Sequence, residues 1–177
     1  LEMTNHSGAP AAWGLWDVTQ LGGPGRFVMP IEAGSTDLDD VHVYSNETRA
    51  GREALGRLAK RDTDMVVVTC RQAEQFKFGT NSRDGWLLAL LDRGPRTVAF
   101  LRHFDTHHES PYPHPSTSEV YDSATLPYFE METHGPLIEL DPGGSYARTE
   151  TWSFDWFDQA QTIPDYVHER TGPRKDN

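Results

Sequence analysis

The chain has 177 residues, 27 of them acidic against 16 basic, for a formal net charge of -11. That length suits one domain with its own core rather than two. A field this negative repels phosphate backbones and anionic lipid, so nucleic acid and membrane surfaces are set aside as partners, while a neutral sugar or a cation is not.

In chain order, Trp13 to Gln20 alternates large and small or polar residues as a strand does, and Gly22-Gly23-Pro24-Gly25 is turn chemistry before a return strand, Arg26 to Ile31. Asp37, Asp39 and Asp40 fall in a loop. Ser45 or Asn46 caps the one predicted helix, Glu47 to Arg61, whose Leu55 and Leu58 share a face and whose place is over an open end of the sheets. Met65 to Thr69 is an apolar, β-branched run suited to a strand buried on both faces, and Cys70 at its end reads as a core thiol. As the only cysteine it forms no internal disulfide, which makes a cytoplasmic setting the default expectation. No segment reaches the roughly 18 apolar residues of a membrane span, and the start lacks the pattern of a secretory signal.

From there strand follows strand: Phe76 to Gly79, Gly85 to Leu91, Thr97 to Phe104, Ser118 to Tyr121, Tyr128 to Thr133, Leu137 to Leu140 and Ser145 to Phe154. The short turns between them, such as Asp92-Arg93-Gly94-Pro95 and Asp141-Pro142-Gly143-Gly144, require antiparallel pairing. The expectation is an all-β, twisted antiparallel sandwich with one short helix, a single domain over 1–170 and a flexible tail over 171–177.

Side chains alternate between the faces of a strand, which sorts the candidates. Glu130 and Glu132 share a face with Tyr128, roughly 7 Å apart along the strand, and repel each other unless a cation, an arginine or a hydroxyl cluster intervenes. Lys77 lies opposite Phe76 and Phe78, Glu119 shares a face with Tyr121, and Arg102 and His103 lie on opposite faces of one strand. With Arg83, Asp84, Trp86 and His134 these offer rings for stacking and forked donors and acceptors, which is what a sugar or oligosaccharide demands. Each such charge is equally readable as part of a solvated outer face.

His103, His107, His108 and His114, with Glu109 and Glu119, invite a metal reading. Their spacing matches no closed zinc pattern and no helix carries an i, i+4 pair, so no metal ligand and no cofactor is assigned. No glycine-flanked serine elbow and no phosphate-cradling glycine loop occurs.

The series Phe78-Gly79-Thr80-Asn81-Ser82-Arg83-Asp84-Gly85-Trp86, Arg102-His103-Phe104, Tyr112-Pro113, Ser118-Glu119-Val120-Tyr121, Tyr128 to Leu137, Leu140-Asp141-Pro142-Gly143 and Thr149-Glu150-Thr151-Trp152 resembles a family of uncharacterised proteins in the galactose-mutarotase-like superfamily, over about residues 13–156. The resemblance implies a large sandwich with a sugar site on one sheet, a strand glutamate as general base on the anomeric hydroxyl and a histidine as general acid on the ring oxygen. Glu132 best matches the glutamate, with Glu130 as the fallback. The early strand that carries the acid histidine in mutarotases reads Val18-Thr19-Gln20 here, which leaves His103 or His134 for that role. The superfamily needs more chain than this, which implies absent N-terminal strands and a sheet edge completed by a partner chain or a second copy. The functional expectation is an aldose mutarotase or epimerase relative; the alternatives are a non-catalytic carbohydrate-binding module and a structural sandwich subunit.

Overall fold

The computed structural model describes residues 1–31, 38–44, 48–82, 84–107 and 109–172. Asp37, the helix cap at Ser45 or Asn46, Arg83, His108 and residues 173–177 of the tail lie outside the described residues. In chain order the elements are β1 (Glu2–Thr4), β2 (Ala11–Trp13), β3 (Trp16–Gly22), β4 (Gly25–Pro30), β5 (His42–Val43), α1 (Thr48–Leu58), β6 (Ala59–Asp62), β7 (Met65–Cys70), β8 (Phe76–Thr80), β9 (Trp86–Arg93), β10 (Arg96–Phe104), β11 (Ser118–Asp122), β12 (Tyr128–His134), β13 (Ile138–Leu140), β14 (Ser145–Ala147), β15 (Glu150–Phe157) and α2 (Ile163–Thr171).

Two antiparallel sheets make the sandwich. One has six strands in the order β15-β10-β9-β4-β7-β6, and the other has five in the order β3-β12-β11-β8-β5. Two short ribbons, β1 with β14 and β2 with β13, complete the strands. The main core lies between the sheets, where Phe27, Met29, Leu87, Ala89 and Phe100 of the six-stranded sheet meet Phe78, Val120, Phe129 and Met131 of the five-stranded one. A second core lies on the far face of the six-stranded sheet, where Val28, Met65, Trp86, Leu88, Leu90, Ala99 and Leu101 pack with Tyr166 and Val167 of α2. A sheet buried on both faces explains the unbroken apolar runs of β7 and β9.

Four expectations are revised. The expected strand Ser145 to Phe154 divides into β14, in a ribbon with β1, and β15, in the six-stranded sheet. The predicted helix is shorter than Glu47 to Arg61, because Ala59–Asp62 leaves it to pair with β7 and supplies the backbone partners that a buried strand needs. The segment Trp13 to Gln20 divides, with Trp13 in a ribbon and Trp16 starting β3. A second helix, α2, caps the far face: Thr162 accepts from the Asp165 backbone N–H at 3.2 Å and a proline sits in the first turn. That start signal, Thr162 followed by Pro164 and Asp165, is present in the sequence.

The flanks of the sandwich close differently. On one side α1 brings Ala54 and Leu55 into the main core beside β5 and β6. On the other, Arg102 of β10 is fully buried and reaches across to the five-stranded sheet. Its guanidinium donates to Thr19 Oγ1 at 2.9 Å, Asp17 Oδ1 at 2.5 Å and the Met131 carbonyl at 3.3 Å, and also to Glu150. Arg148 donates to Glu150 Oε1 at 2.5 Å and to Thr133 Oγ1 at 2.6 Å. Burial acts to raise the Glu150 carboxyl, but the charge of Arg102, with Thr133 and Arg148, outweighs it and holds the group below its ordinary value. Outside this network Trp152, Phe154 and Trp156 of the edge strand β15 stand 50%, 64% and 56% exposed.

Arg102 is therefore an inter-sheet tie and not the sugar contact expected of it. Replacing it by Met strands Asp17 and Glu150 without their shared cation, and a loss of about 3–5 kcal/mol is expected. Urea denaturation of wild type and Arg102→Met measures it; an unchanged midpoint would contradict the assignment.

Candidate functional site

The site is built on the outer face of the five-stranded sheet. Strands β8, β11 and β12 lie side by side, and their alternation turns Phe76, Phe78, Val120, Phe129 and Met131 into the core while Lys77, Glu119 and Glu132 face outward. The register sets Glu119 directly opposite Glu132. Both are 0% exposed. Lys77 answers this juxtaposition: its Nζ lies 2.7 Å from Glu119 Oε2 and 2.9 Å from Glu132 Oε2. Burial alone would depress the lysine, but its hydrogen bonds to Glu119 and Glu132 outweigh that and push its pKa up. Trp16 donates its indole N–H to Glu132 Oε2 at 2.8 Å, and its ring centre is 5.5 Å from the ammonium.

The other oxygen of Glu119 gathers a second set. His114 Nδ1 and the Tyr44 hydroxyl each lie 2.5 Å from Oε1, His134 Nε2 lies 3.3 Å away, and Tyr44 OH is 2.9 Å from Ser116 Oγ. Burial acts to raise the Glu119 carboxyl, yet hydrogen bonds from His134, Lys77 and Tyr44 prevail and hold it at about 2. The Tyr44 hydroxyl moves the opposite way, pushed well above its ordinary value by burial and then by the adjacent Glu119. Gly79, paired with Glu119 across the ladder, leaves the needed room: a Cβ there would lie 2.8 Å from Ser116 Cβ and 3.0 Å from Glu119 Cγ.

Over this floor opens a cavity of 330 Å³ lined by Trp13, Trp16, Lys77, Pro113, His114 and His134, among others. Trp13 and Trp16 are 68% and 59% exposed, so both offer ring surface to a ligand.

Of the residues singled out in the sequence, Lys77, Glu119, Glu132 and His134 converge here. Glu130 and Tyr121 share the outward face but lie outside this cavity; Glu130 accepts from Gln20 Nε2 at 3.2 Å. His103 and Trp86 do not belong to the site. Alternation along β10 places His103 opposite Arg102, on the far face of the six-stranded sheet, and Trp86 packs into the core on that same face. Asp84 is exposed in a loop, where it accepts from Ser82 Oγ at 2.9 Å. The sequence reading missed Tyr44, Ser116 and the ring pair Trp13 and Trp16, and it weighed His114 only as a metal ligand. Periodicity could place the two indoles on strands, but nothing in the local pattern marks Tyr44 or Ser116.

His114, Glu119 and His134 also present three donor atoms within 4.8 Å of one another. Their imidazoles are stacked, with centroids 4.6 Å apart and planes 13° from parallel. An imidazole nitrogen binds a cation in its ring plane, and near-parallel planes share no such point between them, so ligation would require one ring to turn. As arranged, the cluster is a hydrogen-bond network. The Cys70 thiol, pushed up by burial and then by Asp122, takes no part.

Comparison with protein-family models, curated proteins and solved structures finds no match for this chain. Among the described residues no helix is long and apolar enough to cross a membrane.

Because the Glu119 carboxyl sits at about 2 in the fold against an ordinary 4.5, the unfolded chain binds the extra proton between those values. The stabilisation it confers is complete above pH about 4.5 and drains away as pH falls toward 2. Urea midpoints measured across that window are expected to fall with acid, and Glu119→Gln is expected to flatten the fall; an unaltered slope in the variant would refute the role.

Proposed function

We propose that this is a carbohydrate-handling protein of the aldose mutarotase or epimerase kind, which binds a sugar between Trp13 and Trp16 and interconverts its anomers. The observation that carries the reading is one cavity in which exposed indole surface meets His114, His134 and Lys77, backed by two buried carboxylates. A pyranose offers an apolar face to stack on a ring and a rim of hydroxyls that needs donors and acceptors together. The sequence resemblance to the galactose-mutarotase-like superfamily suggests the same reading.

In this reading Glu132 is the base. Its Oε2 already receives Lys77 and Trp16, whereas its Oε1 is buried with no hydrogen-bond partner among the described residues. Oε1 lies beneath the cavity floor, so a bound sugar must first displace the side chains above it; Oε1 then takes the anomeric hydroxyl proton as the C1–O1 bond gains double-bond character. His134, on the cavity wall, gives a proton to the ring oxygen as its bond to C1 breaks. Rotation about C1–C2 and reversal of both transfers closes the other anomer. His103, on the far face of the other sheet, has no part in this scheme.

A saturation-exchange NMR assay over a panel of aldoses tests it. Glu132→Gln is expected to slow exchange by about 100-fold or more while sugar binding persists. Binding without exchange in the wild type would instead favour a non-catalytic binding module, a reading supported by the complete burial of both carboxylates.

A partner surface is a separate matter. Edge strand β15 carries an exposed stripe of Trp152, Phe154 and Trp156, which suits a strand added from a second copy or another chain. If a second copy supplies that strand, sedimentation gives more than a monomer and Phe154→Lys returns it to one; a monomeric wild type removes the second copy and leaves only another chain.

A further inference from the structure

Lys77 stands between two hollows, one on the outer face of the five-stranded sheet and one at the edge of that sheet beside β5 and α1. One is the 330 Å³ cavity beside Trp16, and the other, of 440 Å³, lies beyond Tyr44 under the exposed residue Ala50 of α1. Lys77 lines both, and its Nζ lies 5.5 Å from the Trp16 ring centre and 5.5 Å from that of Tyr44. Glu74, Gln75 and Tyr121 give the second hollow polar walls beside the apolar Val43, Ala54, Phe76 and Phe78, so acceptors, donors and apolar surface meet there. The proton-transfer scheme leaves this hollow unused.

Volume argues that one sugar ring does not fill both. Ligand sites run from about 300 to 1,000 Å³, so each hollow alone is near the small end of that range and holds one compact unit. The ammonium at their junction has three N–H bonds, of which two go to Glu119 and Glu132. Among the described residues the third has no acceptor, which leaves it for an oxygen of a ligand lying across the saddle.

We propose that the two hollows are adjoining subsites for an oligosaccharide of at least two units, with one ring beside Trp16, the next beneath α1, and Lys77 donating to an oxygen at or beside the glycosidic link. This rests on the sugar reading above and narrows it from free monosaccharides to linked ones. Tyr121, an expected sugar contact that lies outside the first cavity, belongs to the second subsite.

The test titrates isotope-labelled protein by NMR with glucose, galactose and mannose and with disaccharides built from each. The expected result is at least one disaccharide bound about tenfold more tightly than either of its component monosaccharides. Ala50→Trp, an exposed helix position, fills the second hollow and is expected to abolish that advantage while leaving monosaccharide affinity unchanged. Trp13→Ala is expected to weaken both classes. Equal affinity for one and two units, or a disaccharide advantage that survives Ala50→Trp, overturns the two-subsite assignment and leaves the sugar reading standing. Absence of shifts with every saccharide overturns the sugar reading itself, and this proposal with it.

Discussion

Two carboxylates set directly opposite one another on neighbouring strands, both out of reach of water, cannot stay ionised together without a cation between them. Lys77, one strand further along the same sheet, is that cation, and the rest of the site is arranged around the Glu119–Lys77–Glu132 contact. Trp16 leans on one carboxylate; Tyr44, His114 and His134 converge on the other. Of the groups that line the cavity, Trp16, His114 and His134 are therefore held by a charge beneath them. This division of labour is typical of preorganised sites, where buried groups orient those that meet the ligand.

A second set of buried charges lies only one residue away in sequence. Glu132 points outward to Lys77, whereas Thr133 points inward to the Arg102, Arg148 and Glu150 network. Strand β12 is thus the shared member of two ionic systems, one that shapes the cavity and one that ties the two sheets together. Each depends on the same pleat, so a slip of β12 by one residue would exchange their faces and leave charge unpaired in both. That dependence constrains the register of β12 from both faces.

Much of the architecture was legible from local pattern. The period of two marked β8, β10, β11 and β12 to within a residue or two and assigned their faces correctly, because alternation is imposed by the backbone itself. The continuous apolar run of β7 announced a strand buried on both sides, and the short turns required antiparallel neighbours. Lys77 opposite Phe76 and Phe78 lies as the alternation required. Boundaries were lost where pairing overrode local preference, as at Ala59–Asp62, and α2 was lost although its capping residues were in plain view.

The sequence by itself determined which side chains share a face, that the charge is strongly acidic, and that Glu132 needs a partner, since all of these follow from composition or from the geometry of one strand. Only the tertiary structure decided that the partner is Lys77, that the second carboxylate is Glu119 and not Glu130, and that Arg102 lies inside while His103 lies on the far face of the other sheet. The reason is physical: alternation names two faces but not which one is covered, and cross-strand neighbours are set by pairing between segments far apart in the chain. Tyr44, next to an edge strand, and His114, in a loop, come to within 2.5 Å of Glu119 through that pairing, and no local periodicity encodes it.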